Sequence, residues 1–181
     1  EHAGYDCLVW DSGFFRDCVL YPPEPATIKM SDARDITLDD LKGVWAVVHL
    51  AGISNDPFGY LDPEQVYDPT RWYAFEIAKL CKAAGARFIY ASSCSVYGAG
   101  SGDLITEDGV TNPQTPYSLN KLQVEGDVSE LCTDGFSPIF LRFATLYGLS
   151  PRMRFDLVVN MLTAMAVATG EIVLNSDGQA W

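Results

Sequence analysis

The chain has 181 residues, nearly half of them apolar and a fifth charged, with a formal net charge of −12. That length allows one domain with a real core, and four Trp with nine each of Tyr and Phe supply bulky packing groups, so a disordered polar chain is excluded and a soluble globular one expected. The acidic balance argues against nucleic-acid binding, because affinity for a phosphate backbone rests on clustered Lys and Arg. Cys7, Cys18, Cys81, Cys94 and Cys132 are odd in number, widely spaced and never CxxC, so neither a disulfide framework nor a metal site is signalled and a cytoplasmic location is expected. No apolar run approaches the roughly 20 residues that span a bilayer. The opening EHAGYDCLVW lacks the basic front and long apolar stretch of a signal peptide.

In chain order, DCLVW closed by DSG reads as a strand and a turn, and TIKM followed by SDARD repeats the theme more weakly. GVWAVVHLAG, residues 43–52, is a nearly continuous apolar run, as expected of a strand buried on both faces of a parallel sheet. From Pro63 to Ala84 the apolar spacing predicts a helix that Gly85 stops. RFIYASS is the next strand. The long loop between Gly98 and Pro116 is functional or mobile by its length, and YSLNKLQVEGDVSELC is a helix stopped near Gly135. SPIFLRFATLYG is a further strand, FDLVVNMLTAMAVATG a further helix and EIVL a short strand. Strands alternating with helices predict an α/β fold with an open, doubly wound, Rossmann-like parallel sheet.

In such a sheet ligands sit beyond the carboxyl ends of the strands. The residues there are Asp11 and Ser12, Asp32, Ala51 and Gly52, Ser92 and Ser93, then Ala144 and Thr145. Tyr117 and Lys121 are four apart, on one face of a helix. A cation beside a phenol favours phenolate and suits it to act as a base, although Tyr-x-x-x-Lys also arises by accident on helix surfaces. His49 reads as a satisfied core or strand-end histidine rather than a ligand. Cys94 lacks the neighbours of a nucleophile. Arg152 and Arg154 suit either a diphosphate or a solvated face.

HLAG, YASSCSVYG about forty residues later, PYSLNK and LRFATLYG, in this order, resemble the extended short-chain dehydrogenase/reductase superfamily. Within it they resemble the NAD-dependent epimerase/dehydratase family, which includes nucleotide-sugar 4-epimerases. The resemblance implies NAD as cofactor, a nucleotide sugar as substrate, a homodimer and chemistry by reversible hydride transfer. It makes Tyr117 the catalytic base, Lys121 its activator and clamp on the nicotinamide ribose, and Ser93 the hydroxyl bonding the reacting oxygen. Asp11 would accept hydrogen bonds from the adenosine ribose and disfavour a 2′-phosphate. Asp32 and Ala33 would flank adenine, Leu50, Ala51 and Gly52 would pass under the pyrophosphate and ribose, and Phe143, with Ala144 and Thr145, would lie near nicotinamide and substrate.

The family's glycine-rich phosphate loop has no counterpart here. The chain therefore reads as an internal fragment, a partial NAD-binding domain over residues 1–181 with the start of the substrate-binding region at 150–181. Weak or no NAD binding and no turnover are expected of these residues alone. Thr70 stands where the family usually has Asn. Cys94 and Ser95 stand where sugar dehydratases carry acids, which favours epimerase-like chemistry over loss of water. A dehydrogenase or reductase of a sugar or other hydroxyl or carbonyl compound, and a non-catalytic NAD-binding regulator, remain the alternatives. The complete Ser93, Tyr117 and Lys121 set argues against the regulator.

Overall fold

The computed structural model describes residues 4–22, 27–53, 62–99 and 104–174. They fall in two compact units. One is drawn from both ends of the chain, up to Asp35 and again from Thr145, and the other runs from Ile36 to Ala144.

In the first unit β1 (Leu8–Asp11) and β2 (Thr27–Met30) pair in parallel, with Asp11 opposite Met30. Both strands thus end at one edge, where Ser31 N–H donates to the Asp11 carbonyl at 3.0 Å. The same unit holds the last helix, Val158–Thr169, closed by Gly170 in the left-handed conformation. EIVL follows it without forming a strand. Among the described residues no neighbouring strand meets it, and Ile172, Val173 and Leu174 stay exposed.

The second unit is a three-stranded parallel sheet in the order β3 (Ala46–His49), β4 (Arg87–Ser93) and β5 (Ile139–Phe143). Parallel neighbours need long crossovers, and two helices provide them. The first, α1 (Pro63–Ala84), has the predicted limits: the Asp62 carboxylate accepts from Glu64 N–H at 3.1 Å, and Gly85 at φ 71° ends it. The second, α2 (Pro116–Ser129), starts at a capping box in which Thr115 and Ser118 exchange hydrogen bonds. It stops earlier than the sequence suggests. Lys82 Nζ donates to the Leu131 carbonyl at 2.8 Å, and Phe136 turns back into the core through its bridge to Thr133. Tertiary contacts here override helix propensity.

Both helices cover one face of the sheet, so Phe88, Tyr90 and Ser92 of β4 are buried against them. With Ala74, Ala78, Cys81, Val124 and Val128 these aromatics make the core. Burial pushes the Cys81 thiol up to about 12, which makes it an inert packing group. Doubly buried strands are not what the structure shows. Val48 is 57% exposed, and Ile139, Leu141 and Phe143 face the side away from the helices. Among the described residues no helix is long and apolar enough to cross a membrane.

Candidate active site

β4 ends at Ser93, whose extended backbone leads into a 3-10 turn, Cys94–Tyr97. The Ser93 hydroxyl oxygen accepts the Ser95 N–H at 3.2 Å and the Ser95 O–H at 2.9 Å. With two donors aimed at its oxygen, the Ser93 proton is directed elsewhere, so this hydroxyl is poised to donate. Phe143 lies opposite Ser93 in the β4–β5 ladder, so two expected site residues adjoin. Cys94 is half-buried on the turn.

Gly98 closes the turn at φ 74°, ψ −152°, a conformation essentially reserved for glycine. A Cβ there would stand 2.0 Å from the Asn112 carbonyl oxygen, while Asn112 N–H bonds the Val96 carbonyl at 2.9 Å. Gly98→Ala is expected to lower stability by more than about 2 kcal/mol. Urea melts would read that loss, and a midpoint unchanged from wild type would show that the turn relaxes freely.

Lys121 is buried on the inner face of α2. Its ammonium donates to the Ala91 carbonyl at 2.7 Å, two residues before Ser93, and lies 4.6 Å from the Tyr90 ring centre and 5.6 Å from that of half-buried Tyr117. Burial lowers its pKa from 10.5 to about 8. Of its three N–H donors, Ala91 uses one. Tyr117 and Lys121 are therefore brought together, beside the strand end that carries Ser93.

His49 occupies the core position expected of it, but it is not fully satisfied: among the described residues its buried Nε2 has no hydrogen-bond partner, and neither has the Tyr90 hydroxyl. Its ring packs against Tyr73, Phe88 and Tyr90. Burial, with the Lys121 charge, drops its pKa to about 4 and keeps it neutral. Beyond β3, Leu50, Ala51 and Gly52 are exposed. A Cβ on Gly52 would meet the Thr70 methyl at 2.8 Å, so Thr70, the residue that stands in place of the expected Asn, abuts this turn. Asn120, which sequence reasoning missed, is buried, and its Nδ2 donates to the Tyr67 carbonyl at 2.9 Å, locking α1 to α2. Its only sequence signal is its place between Tyr117 and Lys121.

Asp11, Asp32 and Ala33 belong to the other unit. Asp11 is exposed at the end of β1. One of its carboxylate oxygens takes the Gly13 N–H at 2.6 Å and the other has no partner among the described residues. Asp32 is chelated by Arg34 through backbone and guanidinium, which holds its carboxyl down at about 2, and Ala33 opens the short 3-10 turn between them. Arg152 lies 3.5 Å from the Phe15 ring centre, and Arg154 pairs with Asp156. Buried Asn160 accepts from Gly148 N–H and donates to the Arg154 carbonyl.

Each unit by itself offers features that suit part of a dinucleotide: in the first, the open Asp11 carboxylate at a strand end suits ribose hydroxyls; in the second, exposed small residues beyond β3 admit a flat ligand and Lys121 keeps donors in reserve. Among the described residues no cluster of His, Cys, Asp or Glu could hold a metal.

Known proteins share this fold. The NAD-dependent NDP-hexosamine 5,6-dehydratase TunA of tunicamycin biosynthesis is similar with a TM-score of 0.82 at 24% identity, over 98% of this chain and 58% of that one. MoeE5 in complex with UDP-glucose and NAD is similar with a TM-score of 0.74 at 26% identity, over 94% and 55%. The UDP-glucuronic acid 4-epimerase of Bacillus cereus, bound to UDP-glucuronic acid and NAD, matches with a TM-score of 0.71 at 24% identity, over 91% and 56%. The chain thus spans little more than half the length of these proteins and shares their fold. The sequence model of the NAD-dependent epimerase/dehydratase family matches residues 1–181, and the chain belongs to that family.

Proposed function

We propose that the chain carries the cofactor-binding and proton-transfer half of an NAD-dependent nucleotide-sugar epimerase-like oxidoreductase. The observation that carries this reading is the buried Lys121 ammonium, bonded to Ala91 two residues before Ser93 and stationed beside Tyr117. Tyr117 as phenolate takes the proton of a sugar hydroxyl, and the Lys121 charge steadies that anion. The Ser93 proton, freed by the two donors from Ser95, bonds the sugar oxygen as it becomes a carbonyl. NAD, when bound, supplies reversible acceptance of a hydride from the same carbon.

Asp11 holds the adenosine ribose through its open carboxylate oxygen, and that negative charge selects NAD over its 2′-phosphorylated form. Asp32 and Ala33 flank adenine, Leu50, Ala51 and Gly52 lie under the pyrophosphate and ribose, and Phe143 borders the nicotinamide. The region from residue 150 begins the sugar pocket. The full-length protein is a cytoplasmic homodimer in this reading. The 3-10 turn offers Cys94 and Ser95 where loss of water needs a carboxylic acid, which supports an epimerase-like outcome.

The test incubates the full-length protein and NAD with UDP-glucose, UDP-glucuronic acid and UDP-N-acetylglucosamine. Formation of the 4-epimer supports the proposal. Accumulating reduced nicotinamide with an oxidised sugar identifies a dehydrogenase, a 4-keto-6-deoxy or 5,6-unsaturated product identifies a dehydratase, and no conversion defeats the assignment.

A further inference from the structure

Glu125 lies two turns beyond Tyr117 on the same face of α2, with Lys121 between them. It is buried, and its carboxylate is fully engaged. The Ser92 hydroxyl donates to Oε1, and the Arg142 guanidinium grips both oxygens, Nη2 reaching Oε2 at 2.6 Å. Arg142 faces Ser92 across the β4–β5 ladder, and the Glu125 contact keeps its guanidinium firmly protonated. Its remaining nitrogen, Nη1, donates to the Tyr97 hydroxyl at 2.9 Å and to the Glu107 carbonyl at 3.0 Å.

Ser93 is therefore gripped from both sides. Before it, Lys121 fixes the Ala91 carbonyl and Glu125 the Ser92 hydroxyl. After it, Arg142 fixes Tyr97 at the end of the 3-10 turn. A buried ion pair is a poor device for stability, since desolvation offsets most of its attraction. What this one supplies is geometry: the guanidinium on β5 ties α2, the turn and the segment carrying Glu107 together, and Glu125 ties β4 to them through Ser92.

We infer that Ser92, Glu125, Arg142 and Tyr97 form a positioning network that sets the Ser93 hydroxyl against Tyr117, and that its arm to the Glu107 carbonyl holds the segment around that residue for the sugar. The inference rests on the assignment of Ser93 and Tyr117 proposed above. Its parts differ in what they control. Ser92 and Tyr97 act on the reacting hydroxyl and so on kcat, whereas Arg142 serves both arms: through Tyr97 it acts on kcat, and through the Glu107 carbonyl on KM for the nucleotide sugar.

The test uses the full-length protein with whichever of the three UDP-sugars it converts. Ser92→Ala and Tyr97→Phe each remove one hydroxyl. Each is expected to lower kcat per folded molecule by about 10- to 100-fold, since displacement on the scale of 1 Å costs about that much, with NAD affinity within about twofold of wild type. Arg142→Lys keeps a cation for Glu125 but loses the fork to both Tyr97 and Glu107, and is expected to lower kcat as Tyr97→Phe does and, unlike it, to raise KM for the sugar by about 10-fold or more. A purely structural network predicts lower melting temperatures with kcat and KM per folded molecule unchanged, and that result overturns the inference. Tyr117→Phe, run alongside, separates the two claims. If it is inactive while Ser92→Ala and Tyr97→Phe match wild type, the network inference fails alone; if it is active, the catalytic assignment fails and takes the inference with it.

Discussion

Replacing Tyr117 with Phe in the full-length protein is expected to lower turnover by about 10²- to 10⁴-fold, the usual contribution of a positioned acid–base group. The change removes one oxygen and leaves the ring that sits 5.6 Å from the Lys121 ammonium. Tyr117 is half-buried at the first turn of α2, whose capping box depends on Thr115 and Ser118 rather than on the phenol. Folding and NAD affinity should therefore survive. Melting temperature, a calorimetric NAD titration and the initial rate on the converted UDP-sugar measure the three quantities separately. A variant that binds NAD normally and turns over at the wild-type rate removes Tyr117 from the chemistry. A variant that fails to bind NAD places the phenol in cofactor binding first.

The helix limits were readable because they depend on local signals. Pro63 behind Asp62 starts α1 and Gly85 ends it, and RFIYASS is the strand from Arg87 to Ser93 without a residue gained or lost. Where the outcome depends on distant partners the sequence misleads. Apolar residues along 43–52 suggested cover on both sides, yet which positions of β3 are buried is set by the face that α1 and α2 occupy, so His49 is buried and Val48 exposed. EIVL has strand composition but no neighbour to pair with among the described residues.

The site divides in the same way. Tyr117 and Lys121 are legible because four residues of helix must bring them to one face, whereas the strand end offers Ser92 and Ser93 alike and only the family resemblance chooses Ser93. The inward contact of Ser92, like those of Asn120, Glu125 and Arg142, carries no comparable local pattern. Their roles arise from contacts across 17 to 53 residues of chain, such as Arg142 with Glu125 and Asn120 with Tyr67. Single-sequence periodicity holds no record of such pairs.

Lys121→Met is expected to make the protein more stable at pH 7 and catalytically dead. Burial lowers the Lys121 pKa from 10.5 to about 8, so below pH 8 the ammonium is charged in both states and the folded state bears its desolvation. That burden is at most about 3 kcal/mol. Met fills a similar volume without charge but forfeits the hydrogen bond to Ala91, a loss of about 1 kcal/mol, leaving a net gain of about 1–2 kcal/mol at pH 7. As pH rises from 8 towards 10.5 the folded protein releases this proton while the unfolded chain keeps it, so wild-type stability climbs relative to the variant and the gap closes. Urea melts of both proteins at pH 7 and pH 10 read that difference directly, because other titrating groups cancel between them. A variant less stable than wild type at pH 7, with a gap indifferent to pH, would show that the Ala91 bond and the Tyr90 ring outweigh burial of the charge. The expected pattern, stability gained where activity is lost, marks Lys121 as a group held in place against its own solvation by the site it serves.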